Sequence, residues 1–155
     1  MRAEILFWWQ NLSGLNGFSF SQNRSEVVIN FEVASDASGA GVYAYQFASE
    51  FKLLLKRPLT LEKKLASSTY REILALRDIY LCDVGEKFRG GIVRHLTDNK
   101  CVESICCIGS RDPALHNIAM ALYMRCRELN ITLIVEWRSR DDPLIAFADR
   151  GSQRF

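Results

Sequence analysis

No run in this 155-residue chain approaches the roughly 20 consecutive apolar residues that a helix needs to cross a bilayer, and no membrane partner is expected. The N-terminal stretch MRAEILFWWQNLSGLNG has an apolar patch, but it is short, contains Glu4 and lacks the small-residue cleavage pattern of a secretory leader. The cysteines Cys82, Cys101, Cys106, Cys107 and Cys126 are odd in number and lack the paired short spacings of a zinc site. Such usage fits a reducing, intracellular setting, cytoplasm or nucleus. Internal repeats, linkers and low-complexity tracts are missing too, which points to one continuous unit. So is an excess of charge of one sign: 20 basic side chains face 18 acidic ones, a net +2. That balance alone does not announce a nucleic-acid binder. Sequestering four acids in one site would leave 20 basic against 14 acidic, a +6 surface suited to a polyanion.

What is present is the composition of an ordinary globule, 48% apolar and 25% charged, on a chain long enough to bury a core without staples. Residues 1–23 are expected to form a lead-in whose short helix packs Trp8 and Trp9 on the domain, and residues 24–155 the domain itself. In EVVINFEVASD, residues 26–36, Ile29, Phe31 and Val33 alternate onto one face, a strand signal. GVYAYQFAS and EFKLLLK read as two more strands in hairpin connection, ended by Arg57 and Pro58. TYRE, residues 69–72, has the Thr-x-x-Glu form of a capping box and predicts a helix from about Tyr70. IVRHLTDN reads as a fourth strand and KCVESICCIG as a short helix. Asp112 and Pro113 stand at the cap and first helical positions of a helix with a buried stripe of Ala114, Ile118, Ala121, Leu122, Cys126 and Leu129. ITLIVEW is a fifth strand, and a second Asp-Pro opens a last helix over DPLIAFADRGSQ.

This order predicts an α/β fold with a five-stranded mixed sheet flanked by helices, in strand order 3-2-1-4-5 if the fourth strand lies beside the first. Three hairpin strands pair antiparallel, and the last two join through right-handed crossovers. With the fourth strand parallel to the first and beside it, Asp36 and Asp98 become neighbours. Glu72, in the first turn of the covering helix, and Asp149, in the early turns of the last, can face the same crevice. Each acid also has an ordinary reading: Asp36 as a turn residue before Gly39, Glu72 as the partner of Thr69 in a capping box, Asp98 as part of a turn, and Asp149 as a solvated helix residue. Carboxylates packed close together oppose one another's ionisation, and a divalent cation reverses that repulsion. Magnesium takes hard oxygen ligands and keeps several waters. Two such ions about 4 Å apart can activate a water and stabilise the leaving oxygen of an in-line phosphoryl displacement.

Taken in order, SDASGAG, SSTYREILAL, LTDNKCV, GSRDPALHNIAMALYMRCRELNITLIVEW and ADRGSQ resemble the acidic motifs and connecting elements of the ribonuclease H domain of retrotransposon polyproteins, particularly DIRS-like and related lineages. FWWQNL and LNG are similar to the lead-in that follows the reverse transcriptase connection in those polyproteins. The resemblance spans nearly the whole chain. It implies a ribonuclease H-like fold and an endonuclease that hydrolyses the RNA strand of RNA:DNA hybrids with two Mg2+ ions, Mn2+ serving as a substitute. Asp36, Glu72, Asp98 and Asp149 match the family's catalytic metal ligands. A reverse transcriptase domain in the same polyprotein is the implied partner, alongside the hybrid itself. Where relatives commonly read Trp-Ile-Pro-Arg and then an Asn, this chain has WRSRDDPLIAFAD, with Pro143 at the Asn position and about two added residues. Residues 138–148 lack the histidine that many relatives carry before the last acid, and His95 and His116 read as structural.

A hybrid-reading enzyme senses 2′-hydroxyls on one strand and fits a deoxyribose backbone on the other. Small polar groups beside the matched acids suit such recognition, namely Ser38, Ser67, Ser68, Thr69 and Asn99, with Thr69 also a candidate helix cap. Lys100 and Arg140, with Arg111 and Arg138, flank the expected crevice and could bind phosphates, against the alternative of solvated surface charge. Two rival readings stay open. One is a catalytically silent ribonuclease H fold kept as a nucleic-acid- or protein-binding module of transposon origin. The other is a nuclease of the same fold acting on DNA or single-stranded RNA.

Overall fold

The computed structural model describes residues 28–48, 51–60 and 67–154, so the expected lead-in with Trp8 and Trp9 lies outside the described residues. The strands are β1 (Phe31–Ala37), β2 (Gly41–Ala48), β3 (Lys52–Pro58), β4 (Ile92–Thr97) and β5 (Thr132–Trp137). The helices are α1 (Ser68–Leu81), α2 (Lys100–Ile108), α3 (Pro113–Glu128) and α4 (Pro143–Gln153), with a 3-10 turn over Asp83–Phe88. The five strands form one sheet in the order β3-β2-β1-β4-β5, as the element sequence predicts. β1 pairs antiparallel with β2, and β2 with β3, whereas β1–β4 and β4–β5 are parallel. Hairpins suffice for the first three strands, while each parallel neighbour needs a helical crossover.

Strand alternation sorts the sheet into two apolar faces. Val33 and Val93 join Ile73, Leu76, Ile79 and Tyr80 of α1 and Ile118, Leu122 and Cys126 of α3 in the larger core. Ala34, Tyr45 and Leu96 point the other way, onto Ile145 and Ala148 of α4. Burying each large side chain of these sets stabilises the fold by about 1.5–3 kcal/mol. Of the stripe predicted for α3, Ile118, Leu122, Cys126 and Leu129 are buried, but Ala114 is exposed. Ala114 sits in the first turn, beside the Asp112 cap, before α3 has reached the sheet.

Helix starts follow local chemistry. Asp112 Oδ1 accepts from the amides of Ala114 and Leu115, and Asp142 Oδ1 from that of Leu144, each with Pro at the first helical position. Proline there loses no hydrogen bond and presets the helical φ. α1 departs from the expected capping box. Its N-cap is Ser67, whose Oγ accepts from Tyr70 N at 3.2 Å, and Thr69 lies inside the helix. Three consecutive hydroxyl residues compete for the cap, and Thr69 Oγ1 is instead engaged by Asn99 Nδ2 at 3.1 Å. Glu72 therefore stands in the second turn with no capping duty.

A polar group inside the larger core is fully partnered. His95, with no exposed surface, is hydrogen-bonded to Ser35 Oγ at 2.7 Å through Nε2 and to Tyr80 Oη at 3.0 Å through Nδ1. Complete burial lowers its pKa to about 3, so the ring is neutral, one nitrogen donating and the other accepting. The chain of three groups ties β1, β4 and α1 together. His95 is thus a structural residue, as read from its place in the strand.

Candidate functional site

The parallel pairing of β1 and β4 sets the site. Phe31 is level with Val93 and Ala34 with Leu96, and the same offset carried two residues further sets Asp36 level with Asp98. Asp36 alternates with Ala34 toward α4, while Asp98 immediately follows the last residue of β4. Glu72 reaches the same strand ends from α1. One carboxylate oxygen from each of Asp36, Glu72 and Asp98 lies within 4.8 Å of the other two.

Asp149, expected as the fourth member, is not in that cluster. It is the seventh residue of α4, beyond the early turns, and its Oδ1 accepts from Gln153 Nε2 at 3.0 Å. Its charge still reaches the group, adding to the upward push on Asp36. What α4 does deliver is Ser152, three residues and almost one turn further on: its Oγ donates to Asp36 Oδ2 at 2.6 Å. The sequence signal for this contact is the i,i+3 spacing from Asp149, which places both side chains on one helical face. Gly151 makes the approach possible. A Cβ there would stand 2.4 Å from the Tyr43 ring of β2, so only glycine lets α4 lie this close.

The electrostatics of the cluster are those of crowded acids in a partly buried place. Burial, reinforced by the charges of Asp98 and Asp36, raises the Glu72 pKa to about 9. Burial also dominates at Asp36, raised to about 6 with Asp98 and Asp149 adding and the Ser152 hydrogen bond opposing. Glu72 Oε2 is buried and has no hydrogen-bond partner among the described residues. An orphan acceptor of this kind costs about 1–3 kcal/mol or more when charged. Three hard oxygen donors, one of them unpartnered, fit a divalent cation of the magnesium class.

The remaining expected residues divide by what already holds them. Ser38 Oγ donates to Ser152 O at 2.6 Å and accepts from Ala40 N at 3.0 Å, bracing α4 against the β1–β2 turn. Ser67 and Asn99 are N-caps, Asn99 Oδ1 accepting from the amides of Cys101 and Val102. Ser68 is exposed. Lys100 extends its ammonium over the Trp137 ring, 4.4 Å from the centroid, and Trp137 Nε1 donates to the carbonyl of Asp98 at 3.2 Å. Arg138 turns away to Glu136 and Asp142, and Arg111 is exposed before α3. Arg140 alone among these cations reaches the acids, its Nε donating to Asp98 Oδ2 at 3.0 Å.

No protein-family model and no curated protein matches this chain in sequence. Solved structures do resemble it. The ribonuclease H1 of the halophilic archaeon Halobacterium salinarum NRC-1 aligns with TM-score 0.56 at 13% identity, over 78% of this chain and 90% of that one. LC11-RNase H1, solved in complex with RNA/DNA hybrid, aligns with TM-score 0.53 at 15% identity, over 79% and 93%. The prototype foamy virus protease-reverse transcriptase aligns with TM-score 0.55 at 13% identity over 87% of this chain, which corresponds to 23% of the viral one. With the observed strand order, these likenesses make the fold ribonuclease H-like.

Proposed function

We propose that this chain is a divalent-metal-dependent endonuclease that hydrolyses the RNA strand of RNA:DNA hybrids. The observation that carries the reading is the convergence of Asp36, Glu72 and Asp98, with an unpartnered Glu72 oxygen, at the adjoining ends of β1 and β4 in a ribonuclease H-like fold. Asp36, Glu72 and Asp98 would hold the metal, with Asp149 as the outer fourth carboxylate. Two Mg2+ ions, or Mn2+ in their place, would supply Lewis-acid charge and an activated water for attack on a phosphodiester.

The protein's own contribution is positional. Ser152 fixes the rotamer of Asp36 through one short hydrogen bond. Asn99 holds the start of α2 and, through Thr69, the first turn of α1, so that Asp98 and Glu72 keep their separation. Ser67, Ser68, Ser38 and Thr69 supply small polar groups near the acids, and Lys100 and Arg140 supply positive charge for phosphates. A reverse transcriptase domain of the same polyprotein, of retrotransposon origin, is the proposed source of further hybrid affinity, in line with the viral structure that the chain resembles.

Incubating the protein with end-labelled hybrid, duplex DNA and single-stranded RNA, in Mg2+ and then Mn2+, tests this reading. Cleavage confined to the RNA strand of the hybrid is expected. Equal cutting of duplex DNA would defeat the substrate assignment. The engagement of Asp149 by Gln153 favours the rival reading, a silent binding module. Intact hybrid with either metal at high protein concentration would establish that rival instead.

A further inference from the structure

Arg140 combines two properties that do not usually coincide. Its side chain is 86% exposed, yet its Nε is hydrogen-bonded at 3.0 Å to the Asp98 carboxylate, which is only 6% exposed. The backbone beneath it is anchored on both sides. Asp142 N donates to Ser139 O at 3.0 Å, Asp141 N to Ser139 Oγ at 3.3 Å, and the Arg138 guanidinium holds Glu136 at 2.8 Å. Asp142 in turn caps α4. The loop is therefore fixed, and a long, solvated side chain extends from it onto a buried acid. An arginine remains cationic at any working pH, so the guanidinium supplies the positive charge that the carboxylates otherwise lack.

A cation binding to Asp98 meets a carboxylate whose charge Arg140 already shares through Oδ2. The guanidinium, once displaced, is a bidentate phosphate donor at the rim of the site on a side chain with little packing to lose. We propose that Arg140 is a resident counter-ion that competes with the divalent metal for Asp98 and passes to a substrate phosphate when the metal is seated. Metal and nucleic acid then assist one another: a phosphate that draws Arg140 away vacates Asp98 for the metal, and by thermodynamic reciprocity the metal releases Arg140 for the phosphate. Arg140 is in this sense a positioning residue that links the two binding events. The inference rests on the metal-nuclease reading above.

Calorimetric titration of Mn2+ into the protein without nucleic acid, for wild type, Arg140→Gln and Arg140→Lys, tests the first half. Removing the competing charge is expected to tighten Mn2+ binding by about three- to fivefold in Arg140→Gln, the range set by a partly exposed ion pair, with Arg140→Lys between the two. Circular dichroism melts establish that the variants are folded, which the exposure of the side chain favours. Equal or weaker Mn2+ binding by Arg140→Gln overturns the counter-ion role and leaves the nuclease reading intact. No Mn2+ uptake by any of the proteins overturns the nuclease reading itself.

The second half is read by repeating the titration with a hybrid of DNA and 2′-O-methyl RNA present. That hybrid is expected to tighten Mn2+ binding about threefold in wild type and to have little effect in Arg140→Gln. The same enhancement in both proteins, or none in wild type, overturns the transfer of Arg140 to phosphate.

Discussion

Ser35 and Asp36 are consecutive residues of β1 and face opposite sides of the sheet, and each belongs to a polar group of three, the first buried and the second partly so. On one side Ser35, His95 and Tyr80 satisfy one another completely at 2.7 and 3.0 Å. On the other, Asp36, Glu72 and Asp98 crowd within 4.8 Å and leave Glu72 Oε2 without a partner. The first arrangement is self-contained and serves the fold, because a neutral imidazole between two hydroxyls needs nothing from outside. The second crowds like charges that Arg140 offsets only at Asp98, and such crowding opposes folding.

Substitutions should separate the two groups. The largest effect is expected from Asp36→Asn or Asp98→Asn. Each should reduce hybrid cleavage by on the order of a thousandfold or more, since a metal's charge stabilisation is worth several kcal/mol. The metal-free melting temperature should stay level or rise as repulsion is relieved. Steady-state cleavage and thermal melts in EDTA measure the two together, and normal turnover by either variant would remove the assigned roles.

His95→Leu should do the reverse. It strands the hydroxyls of Ser35 and Tyr80 at about 1–3 kcal/mol each, which urea unfolding would register, while any folded protein should retain its metal affinity. Unchanged unfolding midpoints would mean that the network is not stabilising.

The pH dependence of metal-free stability should show both groups at once. Burial lowers the His95 pKa from 6.5 to about 3, so its contribution is complete above 6.5 and is lost as pH falls toward 3. Glu72 is raised from 4.5 to about 9, so its contribution is complete below 4.5 and is lost as pH rises toward 9. Asp36, raised from 3.8 to about 6, acts in the same direction as Glu72 over its own lower range. Melting curves in EDTA should therefore trace a dome. Glu72→Gln should flatten its alkaline side, His95→Leu its acid side, and Mn2+ should lift the alkaline side by preferential binding to the folded chain. An alkaline side that Glu72→Gln leaves unchanged would mean that Glu72 is not the strained acid.

The smallest effect is expected from Ser152→Ala, which leaves Asp36 without its hydroxyl donor. A loss of about 1–2 kcal/mol in the positioning of one ligand would appear as a several-fold rise in the Mn2+ needed for half-maximal cleavage. A midpoint equal to that of wild type would make Ser152 a packing residue only.

Much of this comparison was legible in the residues. Alternation in β1, hairpin-length connections and the two Asp-Pro helix starts imply the elements and the pairing of the first three strands, and setting β4 beside β1 brings Asp36 to Asp98. The start of α1 was less legible, because Ser67, Ser68 and Thr69 can all cap and a distant side chain, Asn99, claims Thr69. The position of Asp149 depends on how deeply α4 settles on β2, and that depends on Tyr43 and Gly151, two residues far apart in sequence. Ser152 was hidden for the same reason. The polar closure of His95 was also illegible, since strand alternation marks which face a residue occupies but not which hydroxyl waits there.

Gly151 sets a gauge for the last helix. The Tyr43 ring occupies the volume that a side chain at 151 would need, so α4 rests directly on that ring. A single added methyl would lift the helix and draw the Ser152 hydroxyl away from Asp36. The acidity of Asp36 is thus tuned by a residue that touches none of the cluster's oxygens.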